Sequence, residues 1–242
     1  MDAEQKTNRL VAWIKDQVST AGCRGVVLGI SGGLDSSVLA VLCKQAFPQE
    51  VLGVIMPCYS HLQDKEHAEM LVEKFDIPTR EVVLDSVYDS LLEALPALNP
   101  NPEIGRLSRA NLKARLRMLT LYYAAGQLNY LVAGSSNRTE ITIGYFTKCG
   151  DSGVDIMPLG GMVKDEVRKL ARFLGIPKEI IDKPPSAGLW AGQTDEEEMG
   201  ITYEVLDRFI TSGEAPEEFK SKIIAMIAAS EHKRIMPPIA EF

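Results

Sequence analysis

Short, uninterrupted apolar strands alternating with amphipathic helices constrain this chain more than any other feature. Gly25-Val26-Val27-Leu28-Gly29-Ile30 is a β-branched apolar run, followed by Ser31-Gly32-Gly33-Leu34-Asp35-Ser36-Ser37 and by helical spacing over residues 38–47. The pattern returns: residues 51–56 read as a second strand, 64–75 as a helix with Ala68, Leu71, Val72 and Phe75 on one face, and 80–84 as a third strand. Strands without polar alternation, separated by helices, belong to a parallel sheet buried on both faces. The expected fold class is therefore α/β, a doubly wound parallel sheet with helices on both faces. Ligands in such sheets bind beyond the carboxyl ends of the strands, and the glycine loop falls at the end of the first.

The remaining chain fits the same scheme. Residues 4–20 read as an amphipathic helix and 96–102 as a loop. A long helix over 103–129 carries Arg106, Arg109, Lys113, Arg115 and Arg117. Residues 130–133 form another buried strand, ending in Gly134-Ser135-Ser136-Asn137. Gly and Asp mark 144–161 as loop with short extended pieces, and 162–174 reads as a helix stopped by Gly175 and Pro177. Residues 184–200 read as a mobile surface loop, and 202–210 and 216–230 as closing helices. With no repeat and no shift in composition, the expectation is a single domain over 1–242.

Charge and cysteine content exclude several roles. The 33 acidic against 26 basic residues, net −7, without a basic stripe, argue against wrapping a nucleic-acid backbone. No apolar run reaches membrane-spanning length and the amino terminus lacks a signal-peptide pattern, so a cytoplasmic protein with no membrane partner is expected. Cys23, Cys43, Cys58 and Cys149 show no CxxC pairing and read as reduced thiols.

A glycine turn between a buried strand and a helix presents backbone N–H groups and a positive helix end to an anion. The loop lacks the Lys of a Walker A motif and the spacing of GxGxxG. It instead sets hydroxyls around a glycine pair and adds Asp35, a carboxylate that phosphate oxygens would repel unless a divalent cation stood between them. Asp35 thus implies Mg2+; the alternative is a plain turn with Asp35 capping the helix.

Ser31-Gly32-Gly33-Leu34-Asp35-Ser36-Ser37 resembles the SGGxDS pyrophosphate loop of the ATP pyrophosphatases. Asn111-Leu112-Lys113-Ala114-Arg115-Leu116-Arg117-Met118, Gly144-Tyr145-Phe146-Thr147-Lys148 with Gly150-Asp151, Pro158-Leu159-Gly160, Pro185-Ser186-Ala187-Gly188-Leu189-Trp190 and Gly192-Gln193-Thr194-Asp195-Glu196 follow in order. Together they resemble the ammonia-dependent NAD synthetase family, from about residue 25 to the His232-Lys233 pair. The resemblance implies a Rossmann-like, adenine nucleotide alpha hydrolase-like fold. It also implies amidation of nicotinic acid adenine dinucleotide (deamido-NAD) to NAD: ATP adenylates the nicotinate carboxylate, ammonia displaces AMP, and pyrophosphate is released. Another pyrophosphatase of the superfamily, such as a tRNA-thiolating enzyme, is the alternative.

Carried over position by position, the resemblance implies that Gly29, Ile30, Ser31, Gly32, Gly33, Leu34, Asp35 and Ser36 hold the ATP phosphates, joined by Ser135, Lys164 and Ser186. Family members often have Thr where Ser135 and Ser186 stand. Asp35 and Glu140 match the Mg2+ ligands; for Glu140 the alternative is a charge at a helix start, and for Lys164 a solvated helix start. Arg115, Lys148, Asp155, His232 and Lys233 match deamido-NAD-binding positions, with Asp151 a further contact. No covalent nucleophile is implied. The other arginines of the long helix read as surface or dimer-contact residues. The family implies a homodimer with substrate sites at the subunit interface, and a lid over ATP formed by residues 186–199. The match fills nearly the whole chain, leaving no room for a nitrilase-like glutaminase domain, so free ammonia is the expected nitrogen donor.

Overall fold

Val26 and Leu28 face one apolar cluster while Val27, between them, faces another, so the first strand is covered on both sides. That strand, β1 (Gly25–Gly29), sits inside a parallel sheet with β2 (Val51–Ile55), β3 (Thr79–Glu81) and β4 (Tyr130–Val132), in the order β3-β2-β1-β4. A parallel bridge from Ala133 to Ile156 extends the edge beyond β4. The computed structural model describes residues 1–186, 188 and 192–240.

On one face pack α1 (Ala3–Thr20), α2 (Leu34–Ala46) and α3 (Leu62–Phe75), with α7 (Lys164–Phe173) and α8 (Lys178–Ile181). On the other lie α4 (Asp85–Ala94) and α5 (Pro102–Leu128). A third cluster joins α6 (Arg138–Ile143), α9 (Asp195–Met199), α10 (Tyr203–Ser212) and α11 (Glu217–Ala229) around Leu206 and Ile223. The doubly wound parallel sheet expected from the strand pattern is the observed fold. No described helix is long and apolar enough to cross a membrane.

The differences from the sequence reading are local. β3 ends before residue 84: Val82 N and Leu84 N still donate to the carbonyls of Ile55 and Pro57 at 2.9 and 2.8 Å, but Pro57 has no N–H with which to continue the pairing. α4 lies in a stretch assigned no element. Residues 138–143, given no element from the sequence, form the short helix α6; its capping box and the burial of Ile143 outweigh the β-branched propensity of Ile141, Thr142 and Ile143. The stretch 184–200 is more ordered than a surface loop: it contains α9, and Gln193 and Asp195 are buried.

Candidate active site

β1 leads into α2 on one face of the sheet while its neighbour β4 is reached from α5 on the other, so the chain changes face between these two strands, the place where such sheets bind ligands at their carboxyl ends. After β1, Ser31 Oγ and Ser36 Oγ lie 2.9 Å apart, Gly33 N donates to Ser31 Oγ at 3.3 Å, and the hydroxyls of Ser36 and Ser37 donate to Gly33 O at 3.1 and 2.7 Å. Gly32 has φ +73°, and a Cβ there would stand 2.1 Å from the carbonyl oxygen of Asp64, so only glycine lets the loop pass α3. The N-cap of α2 is Gly33, which has no side chain to satisfy the first-turn amides. Asp35 therefore does not cap the helix; it stands in the first turn with its carboxylate free for other work.

That carboxylate meets Lys164. The Lys164 side chain, at the start of α7 and 3% exposed overall, donates from Nζ to Asp35 Oδ2 and to Glu140 Oε1, the latter at 3.2 Å. Asn137, fully buried after β4, donates from Nδ2 to Asp35 Oδ1 at 3.0 Å and accepts Glu140 N on Oδ1 at 3.0 Å. Glu140 returns a 3.4 Å contact to Asn137 N, completing the capping box of α6. Glu140 is thus a helix-start charge, as the alternative had it, and also one of two carboxylates facing one ammonium. Tyr203 OH bridges Glu140 Oε1 (3.2 Å) and Asp195 Oδ2 (2.9 Å), and its ring lies 4.9 Å under Lys164 Nζ.

The electrostatics follow from this crowding. Burial, reinforced by Asp35 and Asp195 and offset in part by Lys164, pushes the Glu140 carboxyl up to about 7. Burial works against the Lys164 charge, but Asp35 and Glu140 outweigh it and hold the ammonium above its ordinary range. Burial and the nearby carboxylates push Tyr203 and Tyr145 upward, so both stay protonated donors.

Asp35 and Glu140 fit Mg2+. Both are hard oxygen donors that already share one cation, and they stand beside a phosphate-type loop. Among the described residues no three His, Cys, Asp or Glu side chains close on one point. An ion that retains waters and takes phosphate oxygens needs no such cage.

A cavity of about 530 Å³ opens over this centre. The predicted Gly29, Ile30, Ser31, Gly33, Leu34, Asp35, Ser36, Ser135, Glu140, Lys164 and Ser186 all line it. Gly32 lies behind, against α3. Ser186 Oγ accepts Gly188 N at 3.1 Å; Ala187, Leu189 and Trp190 of the same motif, and Ala191, lie outside the described residues, and with them the middle of the expected lid. Its far end is anchored, with Tyr145 OH donating to Asp195 Oδ1 (3.1 Å) and Glu198 Oε2 (2.8 Å).

The residues matched to the second substrate are grouped differently. Lys233 lines the cavity and donates to the carbonyls of Gly144 and Phe146 at 2.8 and 3.0 Å. Arg115 donates to Lys148 O at 3.2 Å and Lys148 Nζ to His232 O at 2.5 Å, forming a chain outside the cavity wall. Asp155 is exposed, and its carboxylate accepts Tyr122 OH at 2.9 Å and Val132 N at 2.8 Å.

One arginine of the long helix corrects its reading as surface. Arg117 lines the cavity, donating to Met56 O at 3.1 Å and Ser60 Oγ at 3.2 Å, and burial draws its pKa below the usual range. Its helical spacing of four from Lys113, which is buried while Arg117 is half-buried, is the signal that the sequence offers. Tyr203 is a further member outside every motif, while Asn137 and Asp195 stood within quoted runs without being assigned a role, since the roles of all three come from non-local contacts. Asp151, lining the cavity, accepts Thr147 N at 2.8 Å.

A family model described as NAD synthase matches residues 6–237. The NH(3)-dependent NAD(+) synthetase of Syntrophomonas wolfei subsp. wolfei is 48% identical over 241 residues, covering 99% of this chain and 97% of its own length. Among solved structures, an NMN synthetase from Francisella tularensis matches with a TM-score of 0.93 at 34% identity, over 100% of both chains. An NH3-dependent NAD synthetase from Campylobacter jejuni subsp. jejuni matches at 0.81 and 28%, again over 100% of both chains. A glycine-serine turn after β1, two carboxylates sharing a buried lysine, and a match along nearly the whole chain agree: this chain belongs to the NAD synthase family.

Proposed function

We propose that this protein is an ammonia-dependent NAD synthetase, converting deamido-NAD to NAD with ATP. The observation that carries the reading is the Asp35–Lys164–Glu140 triad facing the uncapped start of α2 in one cavity. The names of relatives such as that of Syntrophomonas wolfei support NAD as the product and ammonia as the donor; the tRNA-thiolating alternative has no such support.

A carboxylate resists attack by ammonia because oxide is a prohibitive leaving group. The nicotinate oxygen attacks the α-phosphorus of ATP and the bond to the bridging oxygen breaks, expelling pyrophosphate. Ammonia then adds to the acyl carbon and AMP leaves with the former carboxylate oxygen, the surplus proton passing to solvent. Amides and hydroxyls of 31–36 bind the departing pyrophosphate, and Lys164 keeps a positive charge beside it. Asp35 and Glu140 would hold Mg2+, which neutralises phosphate charge when bound. Arg117, fixed by Met56 O and Ser60, adds a cation to the far wall. With the reacting groups held by binding alone, no covalent nucleophile on the protein is needed.

Residues 186–199 act as the lid in this reading, excluding water from the adenylate. The chain works as one catalytic domain and as a homodimer in this reading, which is supported by exposed Leu119 and Tyr123 on α5, the helix that carries Arg115 and, through Tyr122, meets Asp155. Reduced Cys23, Cys43, Cys58 and Cys149 suit the cytoplasm.

The assay supplies ATP, Mg2+, ammonium and deamido-NAD and follows AMP, pyrophosphate and NAD; no product at saturating substrates overturns the reading. A second acceptor is favoured by the match to an NMN synthetase. Running nicotinic acid mononucleotide in parallel decides it, since the higher kcat/KM identifies the acceptor while the chemistry at the carboxylate stays the same.

A further inference from the structure

α7 starts at Lys164 with Val163 at its N-cap, and valine cannot accept the first-turn amides. Another element answers them. Asp207 of α10 is 8% exposed, and it lies outside the cavity wall. Its Oδ2 accepts Asp165 N at 2.8 Å and its Oδ1 accepts Lys164 N at 3.3 Å. The same Oδ1 accepts the Thr139 hydroxyl at 2.5 Å, while Thr139 Oγ1 accepts Lys164 N at 3.2 Å. Thr139 directly precedes Glu140. A carboxylate here is favoured by the positive end of α7, and it ties the helix start that carries Lys164 to the turn that carries Glu140.

We propose that Asp207 is a positioning residue for Mg-ATP. Acting through Thr139 and the α7 amides, it sets where Lys164 and Glu140 stand relative to Asp35. The proposal rests on the reading that this triad receives Mg-ATP. Its physical basis is reach: the Lys164 ammonium must answer both carboxylates at once, and a shift of about 1 Å at the start of α7 breaks one contact or the other. Asp207→Asn keeps the volume but turns one acceptor into an NH2 facing an amide or hydroxyl donor.

The test uses the full chain and measures Mg-ATP dissociation by calorimetry, kcat and both KM values, with circular dichroism to establish folding. D207N is expected to weaken Mg-ATP binding and lower kcat by roughly tenfold or more, as loss of an outer supporting group does, while KM for the acceptor nucleotide changes little. T139A moves the same quantities in the same direction and T139S restores them; T139A decides the matter if D207N does not fold. In a K164Q background, adding D207N is expected to change Mg-ATP binding by less than about twofold, because the two act as a unit. Wild-type binding in folded D207N, or effects of D207N and K164Q that simply multiply, overturns the proposal. A wild-type protein that binds no Mg-ATP instead overturns the functional reading beneath it.

Discussion

Lys164 is 3% exposed and answers two carboxylates, so its removal leaves like charges facing each other in a largely buried site. Lys164→Gln is expected to cut pyrophosphate release by roughly 10²-fold or more, the scale of losing one preorganised charge; turnover within a few-fold of wild type would refute the assignment. Glu140 gives a pH signature. Its carboxyl rises from 4.5 to about 7 on folding, so the folded state binds the proton more tightly than the unfolded state. The contribution is full below pH 4.5 and is lost as pH rises through 7. Without Mg2+, Glu140→Gln should therefore gain melting temperature relative to wild type between pH 5 and pH 8. A difference that stays flat or falls with pH would contradict the burial of that charge.

At the scale of elements, a short helix and a glycine turn do the positioning. Asn137 caps α6 and holds Asp35, so Asn137→Ala loses a cap worth about 1 kcal/mol and an active-site hydrogen bond together. A lower unfolding midpoint in urea and a fall in turnover larger than that midpoint accounts for are expected. Gly32→Ala places a methyl group 2.1 Å from the Asp64 carbonyl at φ +73°; calorimetry should show ATP binding lost in a chain whose circular dichroism is unchanged. The loop was legible in sequence because glycine, serine and aspartate at that spacing have few other uses. α6 was not, because Thr139, Ile141 and Ile143 argue locally for strand and only the cap and burial of Ile143 decide for helix.

Across the whole molecule, α5 carries Leu119 and Tyr123 at 59% and 71% exposure, four residues apart on one face. Arg115 and Tyr122 stand on the same stretch. Under the proposed homodimer, Leu119→Glu with Tyr123→Glu is expected to shift sedimentation from dimer to monomer, with the KM for deamido-NAD raised and ATP binding kept. A wild-type monomer that turns over normally would remove the interface from the substrate site. The overall architecture needed no such interface to be read: Val26, Val27 and Leu28 bury on alternating faces because the sheet is covered twice, which an unbroken apolar strand already states.

Sequence by itself determined the parallel sheet, the glycine-serine loop after its first strand with a carboxylate beside it, and the family to which these belong, because each depends on residues adjacent or at short fixed spacing. Tertiary structure decided the partnership of Asp35, Glu140 and Lys164, the inward turn of Arg117 and the support from Asn137, Tyr203 and Asp207. It also set Arg115 and Asp155 apart from the cavity that Lys233 lines. Asp35 and Lys164 are brought together by packing of α2 against α7, and a charge acquires its role from the dielectric and the neighbours that such packing supplies.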